Sequence, residues 1–202
     1  MGNVKAVVFD LYGTLLYIAD QRKPYERLIA QLGVDRELAR TAAIKQNHAT
    51  LQDIVHALAP GHPIDVSSYQ HDLEEDVRNV RLYPETLEVL GQLKDKGLKL
   101  GMISNLATAY GAPFSALGLS SFFDHAIFSY EAGLEKPQPE IYHRMVANLG
   151  VTPLRALMVG DKYRNDVEGP GKIGMPGVLL DRKGKTSHAL SIRDLREVLN
   201  RI

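Results

Sequence analysis

Carboxylates follow apolar runs at two distant points of the chain. The run VVF ends in Asp10, and the run ALMVG is followed by Asp161, with Asp166 five residues further on. If these runs are neighbouring strands, their acidic groups repel one another and require a cation. Oxygen ligands favour a hard ion, and Mg²⁺ commonly takes one or two carboxylates together with a substrate phosphate. The pattern therefore predicts a magnesium site.

Hydrogen-bond donors suited to a phosphoryl group accompany these acids. Ser104 and Asn105 lie at the end of the run LKLGMIS, and Lys136 lies in the segment GLEKPQPE. Hydroxyl, amide and ammonium groups of this kind hold the oxygens of a transferred phosphoryl group. Asp10 follows its strand on the shortest and most constrained turn, so it is the natural nucleophile. With Tyr12 beside it, the predicted catalytic set is Asp10, Tyr12, Ser104, Asn105 and Lys136.

Tyr12, two residues after Asp10, is the unusual member of this set. A phenol has a pKa of about 10, so it can donate a proton but is a poor base near neutrality. Its ring is equally suited to packing. The residues alone leave both roles open.

The elements that must position these residues follow a β/α rhythm. Five β-type runs recur with longer helical patterns between them, and they lie at residues 4–9, 98–104, 125–129, 156–160 and 177–180. Such alternation predicts an α/β fold with a parallel sheet and helices on both faces. We expect a helix in the segment 84–97 and a last helix over residues 191–201. In open parallel sheets ligands bind beyond the carboxyl ends of the strands, where the acids and donors named above are predicted to lie.

One segment interrupts the rhythm. About ninety residues separate the first two β-type runs, far more than a crossover helix needs. Their apolar residues recur at helical spacing, so residues 17–80 are predicted to form helices only. We therefore expect a catalytic core of residues 1–16 and 82–202, with a small helical cap at residues 17–81.

Composition excludes several classes of partner. The 202 residues include 24 basic and 24 acidic side chains, so no net charge favours nucleic acid or an anionic membrane. There is no cysteine, and the first apolar run is too short to span a membrane. We expect a soluble, unprocessed cytoplasmic protein, monomeric or homodimeric, that binds a small molecule.

Four segments, taken in order, resemble the four motifs of the haloacid dehalogenase (HAD) superfamily. They are FDLYGTLL, MISNL, GLEKPQPEIY and MVGDKYRNDV, so the resemblance covers the whole chain. It implies a Rossmann-like core, a helical cap inserted after the first strand, and catalysis through an aspartyl-enzyme intermediate. Asp10 would be the nucleophile, Ser104 and Asn105 would hold the transferred group, and Lys136 would steady charge. The metal ligands implied for Mg²⁺ are Asp10, Tyr12, Asp161 and Asp166.

Tyr12 departs from the pattern of the superfamily's phosphatases, which usually carry a second Asp at this position. Tyrosine here resembles the 2-haloacid dehalogenase branch, in which Asp attacks carbon and no metal is used. Arg36 and Arg40 are candidates for the substrate-binding arginine of that branch by proximity in sequence alone. The segment GDKYRND instead keeps both carboxylates of the metal-using phosphatases.

The favoured hypothesis is a Mg²⁺-dependent phosphatase acting on a small phosphorylated metabolite with a good leaving group. A metal-independent 2-haloacid dehalogenase and a low-turnover protein that binds a phosphorylated ligand stay open as alternatives.

Overall fold

A six-stranded parallel sheet forms the centre of the molecule. The structure is a computed structural model that describes residues 4–186 and 191–202. In chain order its strands are β1 (Ala6–Phe9), β4 (Lys99–Ser104), β5 (His125–Phe128), β6 (Ala156–Gly160), β7 (Gly177–Leu180) and β8 (Ser191–Ile192); β2 and β3 lie outside this sheet. Across the sheet the strands follow the order β5-β4-β1-β6-β7-β8. The predicted parallel α/β sheet is confirmed; β8 is an addition that the sequence analysis did not predict.

Helices cover both faces of this sheet, as predicted. Four helices come first in the chain, between β1 and β4: α1 (Pro24–Leu32), α2 (Arg36–Lys45), α3 (Leu51–Leu58) and α4 (Ser67–Arg78). The helices of the core follow them: α5 (Thr86–Asp95), α6 (Ala112–Ala116), α7 (Ser129–Ala132), α8 (Pro139–Leu149) and α9 (Gly169–Gly171). The side chains of β1 alternate between two buried clusters. Val7 and Phe9 pack on the face that α5 covers, and Ala6 and Val8 pack on the face that α8 covers. Both faces are apolar because both are buried.

The central position of β1 brings distant segments to one edge. It pairs with β4 on one side and with β6 on the other, over its full length. The pairing continues past the strand, where the backbone N–H of Asp10 donates to the carbonyl oxygen of Val159 at 2.9 Å. The carboxyl ends of β1, β4 and β6 therefore lie side by side.

The four helices between β1 and β4 have a small apolar core of their own. Leu28, Leu51, Ile54 and Val55 are its most deeply buried members. Thr50 and Asp53 form a reciprocal capping box that starts α3. The helical character predicted for this insertion is present over residues 24–78.

The prediction of helices only over residues 17–80 is wrong at both ends of the insertion. Strands β2 (Leu16–Ile18) and β3 (Val80–Leu82) pair antiparallel and join the insertion to the core. Each is a three-residue segment with its first residue buried and its second exposed. Such short segments carry too little periodicity to be recognised, and only their mutual pairing makes them strands.

The predicted helix over 191–201 also needs correction. Its first residues are β8, because Ser191 and Ile192 pair with Leu179 and Leu180 of β7. Only residues Leu195–Asn200 form a helical segment, of the 3₁₀ type. Among the described residues, no helix is both long and apolar enough to cross a membrane.

Candidate active site

Three carboxylates converge at the carboxyl edge of the sheet. Asp10 follows β1, Asp161 follows β6, and Asp166 lies in the helical turn Arg164–Glu168. One carboxylate oxygen from each lies within 4.8 Å of the other two. Asp10 is 7% exposed and Asp166 is fully buried, so this negative charge is largely removed from water. Such a set needs compensating positive charge.

Lys136 supplies the buried part of that compensation. Its Nζ lies 2.8 Å from Asp10 Oδ1 and 2.7 Å from Asp166 Oδ1, and the side chain is 2% exposed. Burial alone lowers the pKa of a lysine, but the attraction of the two carboxylates outweighs it and raises the pKa of Lys136. The ammonium therefore stays charged. It balances one negative charge out of three.

Asp161 is the least satisfied member of the cluster. Its Oδ2 pairs with the mostly exposed Nζ of Lys162 at 3.0 Å. Its Oδ1 is buried, and within the described ranges no donor reaches it. Burial and, next, repulsion from Asp10 raise the pKa of Asp161. A buried oxygen without a partner, beside two further carboxylates, fits an oxygen-coordinated divalent cation.

The backbone around Asp166 fixes its carboxylate. The N–H of Lys162 donates to Asp166 Oδ2 at 2.9 Å, while Oδ1 accepts from Lys136. Burial raises the pKa of Asp166, against the lowering effect of Lys136. Gly160 leaves room for it, because a Cβ there would lie 2.2 Å from Cγ of Asp166.

Gly13 is a site residue that the sequence analysis missed. Its φ is +85°, in the left-handed region that favours glycine, and an added Cβ would lie 2.6 Å from Asp161 Oδ2. The Gly-Thr turn after Tyr12 was the available signal. It indicates a tight turn, but the approach of Asp161 depends on the packing of a distant strand.

Ser104 and Asn105 have different roles in this geometry. The Ser104 hydroxyl donates to Asp10 Oδ1 at 3.4 Å, so it directly contacts the predicted nucleophile. The Asn105 side chain instead binds the backbone of Lys136. Its Nδ2 donates to the carbonyl oxygen at 2.7 Å, and its Oδ1 accepts from the N–H at 2.8 Å. Asn105 thus holds the segment that carries the buried ammonium.

Tyr12 lies where the core meets the helical insertion. Its hydroxyl donates to the backbone carbonyl of Tyr110 at 3.0 Å, and the two rings pack edge to face with centroids 5.8 Å apart. Burial and, next, the charge of Asp76 raise its pKa, so the phenol stays protonated. Tyr12 also belongs to the predicted metal set; its phenolic oxygen is engaged with Tyr110, and the three carboxylates cluster without it.

Asp76 links this region to α4. It is fully buried and accepts hydrogen bonds from the hydroxyl of Tyr110 at 3.0 Å and from the backbone N–H of Arg22 at 2.7 Å. A carboxylate from the insertion therefore binds a tyrosine of the core.

A cavity of about 480 Å³ opens over the carboxylates. Asp10, Ser104 and Lys136 line it on the core side, and Arg40 of α2 lines it on the other. Arg40 Nη2 also donates to Glu135 at 2.8 Å, next to Lys136 in the chain. Arg36, the other arginine considered, is exposed and does not line this cavity.

Fold and site together define a hydrolase class with a strand-end aspartate and a helical insertion over the sheet. A family model described as haloacid dehalogenase-like hydrolase matches residues 4–174. The chain belongs to this family, as its four motifs predict.

Similar proteins include several phosphatases. A protein of Methanopyrus kandleri named glyceraldehyde 3-phosphate phosphatase is 28% identical, over 90% of this chain and 85% of its own. A phosphoglycolate phosphatase of Salmonella paratyphi A is 29% identical, over 88% of this chain and 81% of its own. A crystal structure titled HAD phosphatase, from Thermococcus onnurineus, superposes with a TM-score of 0.70 at 27% identity, covering 98% of this chain and 97% of that one.

A structure titled 2-haloacid dehalogenase, from Pseudomonas syringae, has the same fold. Its TM-score is 0.70 at 22% identity, with 98% of this chain and 97% of that chain covered. Overall shape therefore does not separate the two chemistries; the site must.

Proposed function

We propose that this protein is a Mg²⁺-dependent phosphatase that acts on a small phosphorylated metabolite with a good leaving group. The observation that carries the proposal is the cluster of three carboxylates around one buried ammonium. In the alternative reaction Asp10 would displace halide from a haloacid, and that step needs no such surplus of negative charge. The names of the phosphatases similar to this chain support the same reaction class.

Asp10 is the nucleophile in the proposed reaction. Its carboxylate oxygen attacks phosphorus, the bond to the leaving oxygen breaks, and water then hydrolyses the aspartyl phosphate. Ser104 and Lys136 hold the attacking carboxylate in place through Oδ1. Asn105 fixes Lys136 through its backbone.

The residues that would hold Mg²⁺ are Asp10, Asp161 and Asp166. This set is supported by the buried Oδ1 of Asp161, which no donor reaches in the part of the chain that the structure describes. When bound, the ion supplies positive charge for the oxygens of the phosphoryl group. Lys136 and Lys162 offset only part of the carboxylate charge without it.

Tyr12 sets the range of leaving groups. Its hydroxyl donates a hydrogen bond to the carbonyl oxygen of Tyr110, and its raised pKa keeps the phenol protonated, so that it does not act as a base. The cycle therefore favours substrates whose leaving group departs without protonation, such as the carboxylate of an acyl phosphate or the phenolate of an aryl phosphate.

We further propose that residues 17–81 act as a cap over a core of residues 1–16 and 82–202. The antiparallel pair β2 and β3 supports this division, since both connections run through it. We also propose that the protein acts in the cytoplasm, as a monomer or homodimer, on a small metabolite of the kind that the names of similar proteins give.

Phosphate release from acetyl phosphate tests this function, with Mg²⁺ and then with excess chelator. We expect release that chelator abolishes and that Asp10→Asn also abolishes. Asp95→Asn is the matched control, because Asp95 is exposed at the end of α5, just before β4 begins at the other edge of the sheet.

Other outcomes would point elsewhere. Halide release from 2-haloacids that is equal in chelator would establish the dehalogenase instead. Absence of both activities, with thermal stabilisation by phosphate esters, would establish a binding protein.

A further inference from the structure

A second cavity adjoins the carboxylate cavity. It has a volume of about 740 Å³ and lies between α1, α2 and the segment after β4. Its wall is mainly apolar, with Ile29, Val34, Ala43 and Leu106 among the lining residues. This volume and lining are typical of sites that bind small organic molecules.

The two cavities lie next to each other, because six residues line both. The residues that line both are Tyr12, Ile18, Gln21, Arg40, Ile44 and Asn105. A phosphoryl group held at Asp10 would therefore have the rest of its molecule directed either to solvent or into the apolar cavity. Burial of an apolar leaving group in this space is favourable.

Aromatic rings form one side of the apolar cavity. Tyr110 packs against Tyr12 with centroids 5.8 Å apart and against Tyr25 with centroids 5.7 Å apart. The hydroxyls of Tyr12 and Tyr110 already donate to groups of the protein, and burial raises the pKa of all three phenols. These rings are neutral, and such surfaces favour an aromatic guest packed edge to face.

From this adjacency and this lining we propose that the 740 Å³ cavity binds the aromatic leaving group of an aryl phosphate monoester. The inference rests on the proposed phosphatase function and specifies its substrate class. An oxygen of Asp10 forms a bond to phosphorus while the bond from phosphorus to the aryl oxygen breaks. The electron pair of that bond leaves with the phenolate, which takes a proton from water. Hydrolysis of the aspartyl phosphate then regenerates Asp10.

An aryl group meets both demands of the site. A phenolate leaves without a general acid, which suits the engaged hydroxyl of Tyr12. Its ring fills an apolar space that a small polar group such as glycolate leaves empty.

The first test compares phenyl phosphate with 2-naphthyl phosphate, whose leaving phenols are of similar acidity. We expect kcat/KM to be about tenfold higher for the naphthyl ester, because its second ring leaves water on binding. A wild-type ratio near one would overturn the inference, while hydrolysis of both esters would leave the phosphatase function standing.

Variants locate the preference in the cavity. Ile29 lines only the apolar cavity, so Ile29→Asp should lower the naphthyl-to-phenyl ratio to about one. Ile29→Trp, which fills the space instead of charging it, should lower the ratio too and serves if the first variant folds poorly. The control is Leu38→Asp on α2, where the side chain is 63% exposed and lines neither cavity. An unchanged ratio in both Ile29 variants would refute the assignment.

A binding measurement separates the two proposals. Titration calorimetry in Mg²⁺ would compare 2-naphthylmethylphosphonate with methylphosphonate, which cannot be hydrolysed. We expect at least tenfold tighter binding of the naphthyl compound, reduced by Ile29→Asp. If the naphthyl compound binds more tightly but no ester is hydrolysed, the cavity binds an aryl group as proposed and the phosphatase function is overturned. Equal affinities would overturn the inference whatever the turnover.

Discussion

Replacement of Lys136 by methionine tests whether the buried ammonium balances the carboxylates. Methionine keeps an unbranched apolar side chain of similar length and removes the charge that lies 2.8 Å from Asp10 and 2.7 Å from Asp166. Removal of one partner from a buried ion pair costs about 3 kcal/mol of unfolding free energy, because the remaining charge is left uncompensated. For a chain of 202 residues this corresponds to a fall in Tm of about 6 to 12 °C.

Thermal unfolding followed by circular dichroism, in chelator and then in Mg²⁺, provides the measurement. The variant should gain more Tm from Mg²⁺ than the wild type, because its three carboxylates have lost the buried ammonium that offsets part of their charge. The matched control is Lys94→Met, which breaks the exposed pair with Asp124 and should change Tm by at most about 4 °C. A Tm for Lys136→Met within the range of this control would refute the reasoning, as would an equal response to Mg²⁺.

Three further predictions concern the surroundings of the cluster. Gly13→Ala should cost about 1 to 2 kcal/mol for its left-handed backbone and also lower turnover through contact with Asp161. Gly61→Ala has a similar φ and nothing within 4 Å, so denaturant unfolding should show the strain there with activity intact; equal activity loss would contradict the contact. Tyr110→Phe should cost about 1 to 3 kcal/mol by removing the donor to Oδ2 of buried Asp76. The cost should exceed that of Tyr69→Phe, because the Tyr69 hydroxyl donates to the neutral Gln31. Equal losses of unfolding free energy in the two variants, measured by chemical denaturation, would show that the hydrogen bond to Asp76 stabilises the fold no more than the one to Gln31. Tyr12→Asp should raise hydrolysis of alkyl phosphates relative to aryl phosphates, whereas Tyr12→Phe should leave that ratio unchanged; no gain would mean that the position lacks access to the leaving group.

The convergence of Asp10 with Asp161 was predictable because it follows from a general rule. Buried apolar runs that alternate with helices form parallel strands, and the residues after such strands meet at one edge. The β-type runs at 156–160 and 177–180 agree with β6 and β7 to the residue. The parallel sheet was predicted from apolar runs such as these two.

The parts that could not be predicted depend on long-range packing. Asn105 has the sequence context of a helix cap, and only the fold shows that its amide binds the backbone of Lys136. Asp76 lies in an acidic run typical of a solvated helix face, yet it is fully buried against Tyr110. Strands β2 and β3 are too short to show a period, and they become strands only by pairing across the insertion.

The place of β1 in the sheet has a consequence for how the protein is made. Ala6 pairs with Lys99, 93 residues later (99 − 6), and with Ala156, 150 residues later (156 − 6). During synthesis β1 leaves the ribosome about 150 residues before β6, its second neighbour in the sheet. Contacts between residues so far apart in sequence form slowly. Asp10, the proposed nucleophile, is therefore translated well before Asp161 and Asp166, and its surroundings are complete only when the segment that carries them has folded.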